Sequence, residues 1–589
     1  MQKQLNPMYL SFDELLQKRL FEIPTYQRAY SWNTKQRNDL FSDITKLYES
    51  PEYKEGRAHF MATVVCHSQM REEAYDTDVY SVLNIVDGQQ RITSLIILLK
   101  AIHLKMRELN NAKYRRSIYY LEELLVKDEN QKLILIQTNH NSSLTLREYL
   151  LSGKHPSDDM VTTHAIRTLK SGFIECEKFV DHWCEKYEIL DLLMLIRNRL
   201  NFILHIINDE GSVYTVFEVL NSRGLDVDWL DKCKSMLLGI AFEKLSKNPL
   251  VFEDRLKWLH EYWGKIYETI GITNIPGDEI VRFTATLYNP LEHSKVMKIE
   301  DAIDYFKEIC DQDPERVIDI SQWLSEVTNE LKNLYTNKKK KAVTKIIQAR
   351  LLAVAINLSP HLLEKETEKL LEYWEKVTFR VFGLHRKDSR HQVGEFVRLS
   401  CFLMGFKSAE RANKYSNMRY KSAIDNILEI AKNFPLKDIQ KTLGEEDSYS
   451  QWKIELRYFL YTYEKDLAEK YNETFSKKVW ETIWSMNLED TIEHIYPQIE
   501  SDAWRGKVTK RKQFHCNRLG NLILLPRKLN SRVSNQGYFA KANEYKKTDI
   551  LTAKEVANMN NDWNYKTIES RTQHLIEWAK NYWEIDGFQ

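Results

Sequence analysis

The sequence predicts a predominantly helical α+β chain of several domains, and three observations carry that prediction. Its 589 residues exceed what one hydrophobic core organises, and a 43% hydrophobic composition is that of a globular chain rather than a disordered one. Runs rich in β-branched and apolar residues fall in the N-terminal third, with one more opening at Asn521. Between residues 230 and 435 the apolar residues recur at helical spacing instead.

Residues 60–66 and 79–86 read as strands, and residues 92–109 as a helix with Leu95, Leu98, Leu99 and Ile102 on one face. Residues 202–207 read as a buried strand, followed by a helix through 214–220. The middle holds amphipathic helices such as 342–358 and 364–381, whose apolar stripes are core faces. Lys338 to Lys341 read as a loop between helices, without a role. The polar stretch 444–450 marks a boundary, and a helix over 451–464 follows it. This gives three expected domains, 1–235, a helical spacer 236–445, and 446–589, with no internal repeat. Seven cysteines form no C-x-x-C pair, which argues against zinc ribbons and disulfide scaffolds and suits a reducing compartment. No run approaches the roughly eighteen apolar residues of a membrane span, and the N-terminus lacks a signal-peptide core. A cytoplasmic protein without a membrane partner is therefore expected.

Two regions carry chemistry. Near the C-terminus, Glu493-His494 precedes Pro497, Asn521 opens an apolar strand, and Asn530 follows nine residues later. Phosphodiester hydrolysis needs an activated water and a cation that neutralises charge building on the phosphate oxygens. His494 is the expected base, Asn521 orients that ring or the surrounding finger, and Glu493 with Asn530 is expected to hold a divalent cation, Mg²⁺ by its preference for oxygen. Charge supports the reading. The whole chain balances 85 basic against 84 acidic residues, yet residues 504–547 hold twelve Lys or Arg and only Glu544 as an acid. Arg505, Lys510, Arg511, Lys512 and Arg518 are the expected contacts to a phosphate backbone.

In the N-terminal third, Asp87-Gly88-Gln89-Gln90-Arg91 lies between a strand and a helix. A glycine turn into a helix N-terminus presents backbone N–H groups to an anion, and Arg91 can grip a phosphate with two hydrogen bonds. The spacing is not that of a Walker motif, and a plain strand-to-helix turn explains the residues as well. Upstream, Tyr26, Gln27, Arg28, Tyr30 and Trp32 alternate aromatic and polar groups. Such a run either stacks on a base and holds a phosphate or anchors the segment in a core.

Taken together, I-P-x-Y-Q-R-x-Y-x-W at 23–32, D-G-Q-Q-R-I-T-S-L at 87–95, Phe217 to Leu225 with Asn221 and Arg223, and the C-terminal E-H-x-x-P…N-L-x-L-L-x4-N resemble the GmrSD family. These are type IV, modification-dependent restriction endonucleases of bacteria, with a BREX-associated single-chain form. The resemblance covers roughly residues 10–235 and 450–560. It implies a ParB/sulfiredoxin-like N-terminal domain that binds and hydrolyses a nucleoside triphosphate, ATP or GTP or another, through Asp87, Gly88, Gln89, Gln90, Arg91 and Thr93. Sensing of modified DNA would fall to Tyr26, Gln27, Arg28, Tyr30 and Trp32. It also implies a C-terminal HNH (ββα-metal) nuclease domain cutting double-stranded phage DNA with modified, for instance glucosylated or hydroxymethylated, cytosine. The sequence departs from the family pattern at Ile92, where Leu is frequent, and at Asn530, where many relatives carry His. One finger per chain suggests a homodimer or sequential nicking. Two rivals stand beside this expectation: a nucleotide-switched DNA-binding protein whose finger is structural, and a nuclease toxin indifferent to base modification.

Overall fold

The computed structural model describes every residue except 1–6, 57, 76, 128–131, 138–141, 210–211, 214–215, 217–227, 248, 290–293, 389, 391–392, 406–408, 445–446, 474–475, 509, 560–561 and 586–589. The motif around Asn221 and Arg223, and the expected helix over 214–220, lie outside the described residues. The chain forms two compact units, Met1–Ala285 with Met297–Lys332, and Thr286–Val296 with Asn333–Gln589. The helices expected to form a separate spacer are thus divided between the units, and those from Ala342 onward join the core of the second.

The first unit is built on a mixed six-stranded sheet in the order β1-β6-β3-β4-β2-β5. Its strands are β1 (Met8–Ser11), β2 (Arg19–Ile23), β3 (His59–Tyr75), β4 (Asp78–Asp87), β5 (Leu135–Gln137) and β6 (Leu200–Ile207). β3 and β4 form a long antiparallel hairpin, and β6 runs parallel to β3. The strands expected at 60–66, 79–86 and 202–207 are present, and the first is far longer than its apolar run because residues 68–75 pair as an exposed polar extension. β1, β2 and β5 are too short and too mixed in polarity to have stood out.

Helix α1 (Gln89–Leu109) follows β4 through Gly88. The expected face of Leu95, Leu98, Leu99 and Ile102 is buried, but so are Ile96, Ile97 and Ala101, so this is a central helix covered on all sides. It shares one core with Val64, Cys66, Leu83 and Ile85 of the hairpin. Helix α2 (Trp229–Ile240) is capped by Asp228, whose carboxylate accepts from Leu230 N at 2.9 Å.

The second unit is helical apart from an antiparallel pair, β7 (Ile492–His494) and β8 (Leu522–Leu524), in which Glu493 faces Ile523 and His494 faces Leu522. The expected helix over 342–358 breaks between Thr344 and Ile347, and the one over 364–381 ends at Thr378 in a π turn. The helix expected over 451–464 also breaks, leaving Ser448–Gln451 and α3 (Ile454–Tyr471). After β8 come α4 (Arg527–Val533), α5 (Tyr538–Lys546) and, near the end, α6 (Tyr565–Tyr582). Trp452, Trp504, Trp563 and Trp583 are buried in the same core as β7 and β8. Large rings of this kind bury the most surface per residue and fix the short strands in place.

Candidate active site

In the second unit, β7, β8 and α4 deliver the three polar positions of the finger in the expected order. His494 ends β7 and is only 8% exposed. Burial pushes its imidazole down to about 4, opposed by the Asn517 side chain, so the ring is neutral near pH 7 and able to accept a proton. Its Nε2 lies 3.4 Å from Gln498 Nε2, and the Tyr449 ring meets it edge-on with centroids 4.5 Å apart.

Asn521 is fully buried, and its amide is used up in holding backbone and ring groups. Its oxygen accepts from Tyr496 N at 2.8 Å and from Trp563 Nε1 at 3.0 Å, and its nitrogen donates to Tyr496 O and Cys516 O. Asn521 therefore orients the finger and not the imidazole. The turn before β8 is clamped further by buried Arg571 of α6, which donates to Gly520 O at 2.8 Å and Leu522 O at 3.0 Å. Gly520 allows this close approach, since a Cβ there would collide with Ile568 O and Thr572.

Glu493, one of the two expected cation ligands, is already engaged. Glu493 is buried, and its Oε1 accepts from Lys541 Nζ and from Tyr545 Oη of α5, each at 2.7 Å. Lys541 is itself fully buried and also donates to His494 O at 2.9 Å. Desolvation pushes the Glu493 carboxyl up and the Lys541 ammonium down, each opposed by the partner's charge. Glu493 and His494 are neighbours on β7, so their side chains leave opposite faces of the strand. Asn530, on α4, donates to Asp490 O at 3.0 Å and Ile492 O at 3.2 Å through Nδ2, which leaves the lone pairs of its Oδ1. Among the described residues no three His, Cys, Asp or Glu side chains converge as a metal cluster. A cation held between Glu493 and Asn530 does not fit this arrangement.

The basic surface is smaller than the sequence count. Arg505, Lys510 and Arg511 are exposed, and Lys512 is exposed but bonded to Glu500 at 2.6 Å. Arg518, expected on the DNA backbone, is 4% exposed, paired with Glu569 and packed over Phe514, so it holds structure instead. Lys541 is likewise withdrawn into the Glu493 pair.

In the first unit the two N-terminal motifs form one assembly. Gly88 takes φ +91°, and a Cβ there would stand 3.1 Å from Val64 Cγ2, so the turn needs glycine. No side chain caps α1, which leaves its first N–H groups for other partners. Gln90 reaches back to the upstream motif, donating to Ala29 O at 3.2 Å and accepting from Ser31 N at 2.9 Å. Gln27 donates to Val86 O at 3.1 Å. Thr93 is buried, and so is Gln89, whose Oε1 has no hydrogen-bond partner among the described residues. Burial pushes the Asp87 carboxyl up against the pull of Gly88 N and Arg91, and pushes the Arg91 guanidinium down against Asp87 and Asp43.

Arg28 joins them through residues that the sequence reading missed. It pairs with Asp228 at 3.4 Å and Asp231 at 3.3 Å. Buried Lys234 donates to Tyr26 O and Gln27 Oε1, each at 3.2 Å, and burial pushes it down to about 8. Asp228, Asp231 and Lys234 stand three residues apart, one face of α2, and that spacing was the available signal. Tyr26 stacks on His260 at 4.3 Å and lines an open cleft of about 480 Å³ with Glu22, Gln69, Asn84 and Lys257. Tyr30 and Trp32 are anchors: Tyr30 is buried with its hydroxyl 2.8 Å from Ser94 Oγ, and Trp32 packs on the core of the sheet.

Residues 12–238 match the family model described as GmrSD restriction endonuclease, N-terminal domain, and residues 435–578 match its C-terminal domain. No curated protein matches the chain. No helix among the described residues is long and apolar enough to cross a membrane.

Proposed function

The chain belongs to the GmrSD restriction endonuclease family, and on that premise we propose that it is a nucleotide-regulated endonuclease that cuts modified phage DNA with His494 as general base. Family membership makes DNA the substrate and phage defence the setting. The observation that carries the finer reading is the imidazole of His494, neutral near pH 7 at the end of β7, in a matched domain whose surface exposes Lys510 and Arg511. In this reading His494 takes a proton from water, and the exposed cations of the domain hold the phosphate backbone. The fold assignments that go with it are an HNH finger for β7, β8 and α4, and a ParB/sulfiredoxin-like first unit. A divalent cation, if the enzyme uses one, would supply charge neutralisation at the phosphate; the Glu493 pairing argues that Glu493 does not hold it.

In the first unit, Asp87, Gly88 and Arg91 at the start of α1 would receive the triphosphate. Its hydrolysis would be coupled to Tyr26, Gln27 and Arg28 through Gln90 and Lys234. That coupling is the proposed route by which a sensed modification licenses cutting. One observation favours a rival: the Glu493–Lys541 pair is what a purely structural finger would contain. Cleavage of one DNA sequence, plain and with glucosylated or hydroxymethylated cytosine, with and without each triphosphate and EDTA, separates the readings. Triphosphate-dependent cutting of modified DNA alone is expected. Equal cutting of both DNAs indicates an unselective toxin, and binding without cutting indicates the switch.

A further inference from the structure

The polar stretch at 444–450 reads in the sequence as a boundary, yet it supplies groups to the site. Asp447 caps the short helix Ser448–Gln451, its carboxylate accepting from Ser450 N at 2.8 Å and Ser450 Oγ at 2.9 Å. The same carboxylate accepts from Asn517 Nδ2 at 2.8 Å, and Asn517 O accepts from Tyr449 N at 3.1 Å. Tyr449 in turn packs edge-on against His494. Asn517 is buried, and its side chain acts on the imidazole of His494, favouring the protonated ring. Its nitrogen is committed to Asp447 and Ser450, and its Oδ1 is buried with no hydrogen-bond partner among the described residues.

We propose that Asp447 and Asn517 are positioning residues for His494: the Asp447 carboxylate holds the Asn517 amide by its nitrogen, so that the amide oxygen faces the imidazole. This rests on the reading of His494 as the base. The amide orientation is forced, because a carboxylate accepts and cannot donate to the Asn517 oxygen. An acceptor facing the ring keeps the proton on the nitrogen nearest it, which is Nδ1 when Gln498 donates to the Nε2 lone pair. Nε2 then carries the ring's lone pair, which takes the proton from water once water replaces Gln498 on it. A long contact at this position tightens when the ring becomes cationic in the reaction, the usual behaviour of catalytic hydrogen bonds in unliganded enzymes. The arrangement assigns the orienting amide to Asn517, four residues before the Asn521 that the motif suggested.

The test uses the full chain and four variants: Asn517→Ala, Asp447→Ser, Asp447→Asn and His494→Ala. Serine preserves the helix cap but is too short to hold Asn517; asparagine preserves the cap through its one oxygen and puts an amino group where the carboxylate oxygen held Asn517. Single-turnover DNA cleavage, DNA affinity and thermal melting are measured for each. Asn517→Ala and Asp447→Ser are expected to slow cleavage about 10- to 100-fold with affinity and melting near wild type, the loss typical of removing an imidazole's orienting partner. Asp447→Asn is expected to slow cleavage as well, because its amino group draws the Asn517 oxygen toward itself and away from the ring. Wild-type rates in both Asn517→Ala and Asp447→Ser overturn the inference, as does a wild-type rate in Asp447→Asn. Should Asn517→Ala not fold, the Asp447→Ser and Asp447→Asn pair decides alone. Undiminished cleavage by His494→Ala would instead overturn the underlying assignment of the base.

Discussion

At Glu493, motif logic and burial pull apart, and burial wins. A carboxylate beside the expected base suggests a cation ligand, but an unpaired carboxylate in this core is costly, and Lys541 compensates it within 2.7 Å. Lys541→Met is expected to destabilise the second unit by about 3–5 kcal/mol near pH 7, as a lower melting temperature, because it strands a buried charge. The Glu493→Gln/Lys541→Met double variant is expected to recover most of that loss. The Glu493 carboxyl already sits above its ordinary range, so in Lys541→Met it takes up a proton as pH falls and the deficit shrinks. A deficit that grows on acidification contradicts the pairing. The candidate residues were legible in the sequence, since rare polar types at fixed spacing mark them. Their partners were not, because Asn517, Lys541 and Asp447 reach the site across gaps of 23 to 47 residues from His494.

Elements explain why the finger holds its shape. β7 and β8 have three residues each, too few to be stable alone, and they depend on α6 through Gly520, Thr572 and Arg571. Gly520→Ala is expected to lower melting and cleavage together, since the new methyl must displace the backbone of α6. Unchanged melting would show that α6 is not the support. In the first unit, α1 announced itself by length and apolar content, and the strands around it by β-branched runs. The junction of the two N-terminal motifs did not, because Gln27–Val86 and Gln90–Ala29 are contacts between glutamine side chains and main-chain carbonyls, which leave no pattern in the chain. The broken helices at Ile347 and Ile454 also escaped, since no proline or glycine marks the breaks, where Ile346 and Trp452 enter the core.

For the molecule as a whole, the proposal couples a triphosphate site in one unit to DNA cutting in the other. Asp87→Ala and Arg91→Ala are expected to abolish triphosphate turnover while His494→Ala leaves it intact; unchanged turnover in both would remove the nucleotide from α1. DNA affinity is expected to fall steeply with salt through the exposed Arg505, Lys510 and Arg511, by less than the twelve basic residues of 504–547 imply, since Arg518 and Lys541 are buried. The claim on which the rest depends is that the His494 imidazole activates water for phosphodiester cleavage. Single-turnover cutting of a modified phage DNA by His494→Ala tests it most directly. A rate lowered by about 10²-fold or more, with DNA binding retained, is the predicted result. Cutting at the wild-type rate by a preparation free of other nucleases would contradict it.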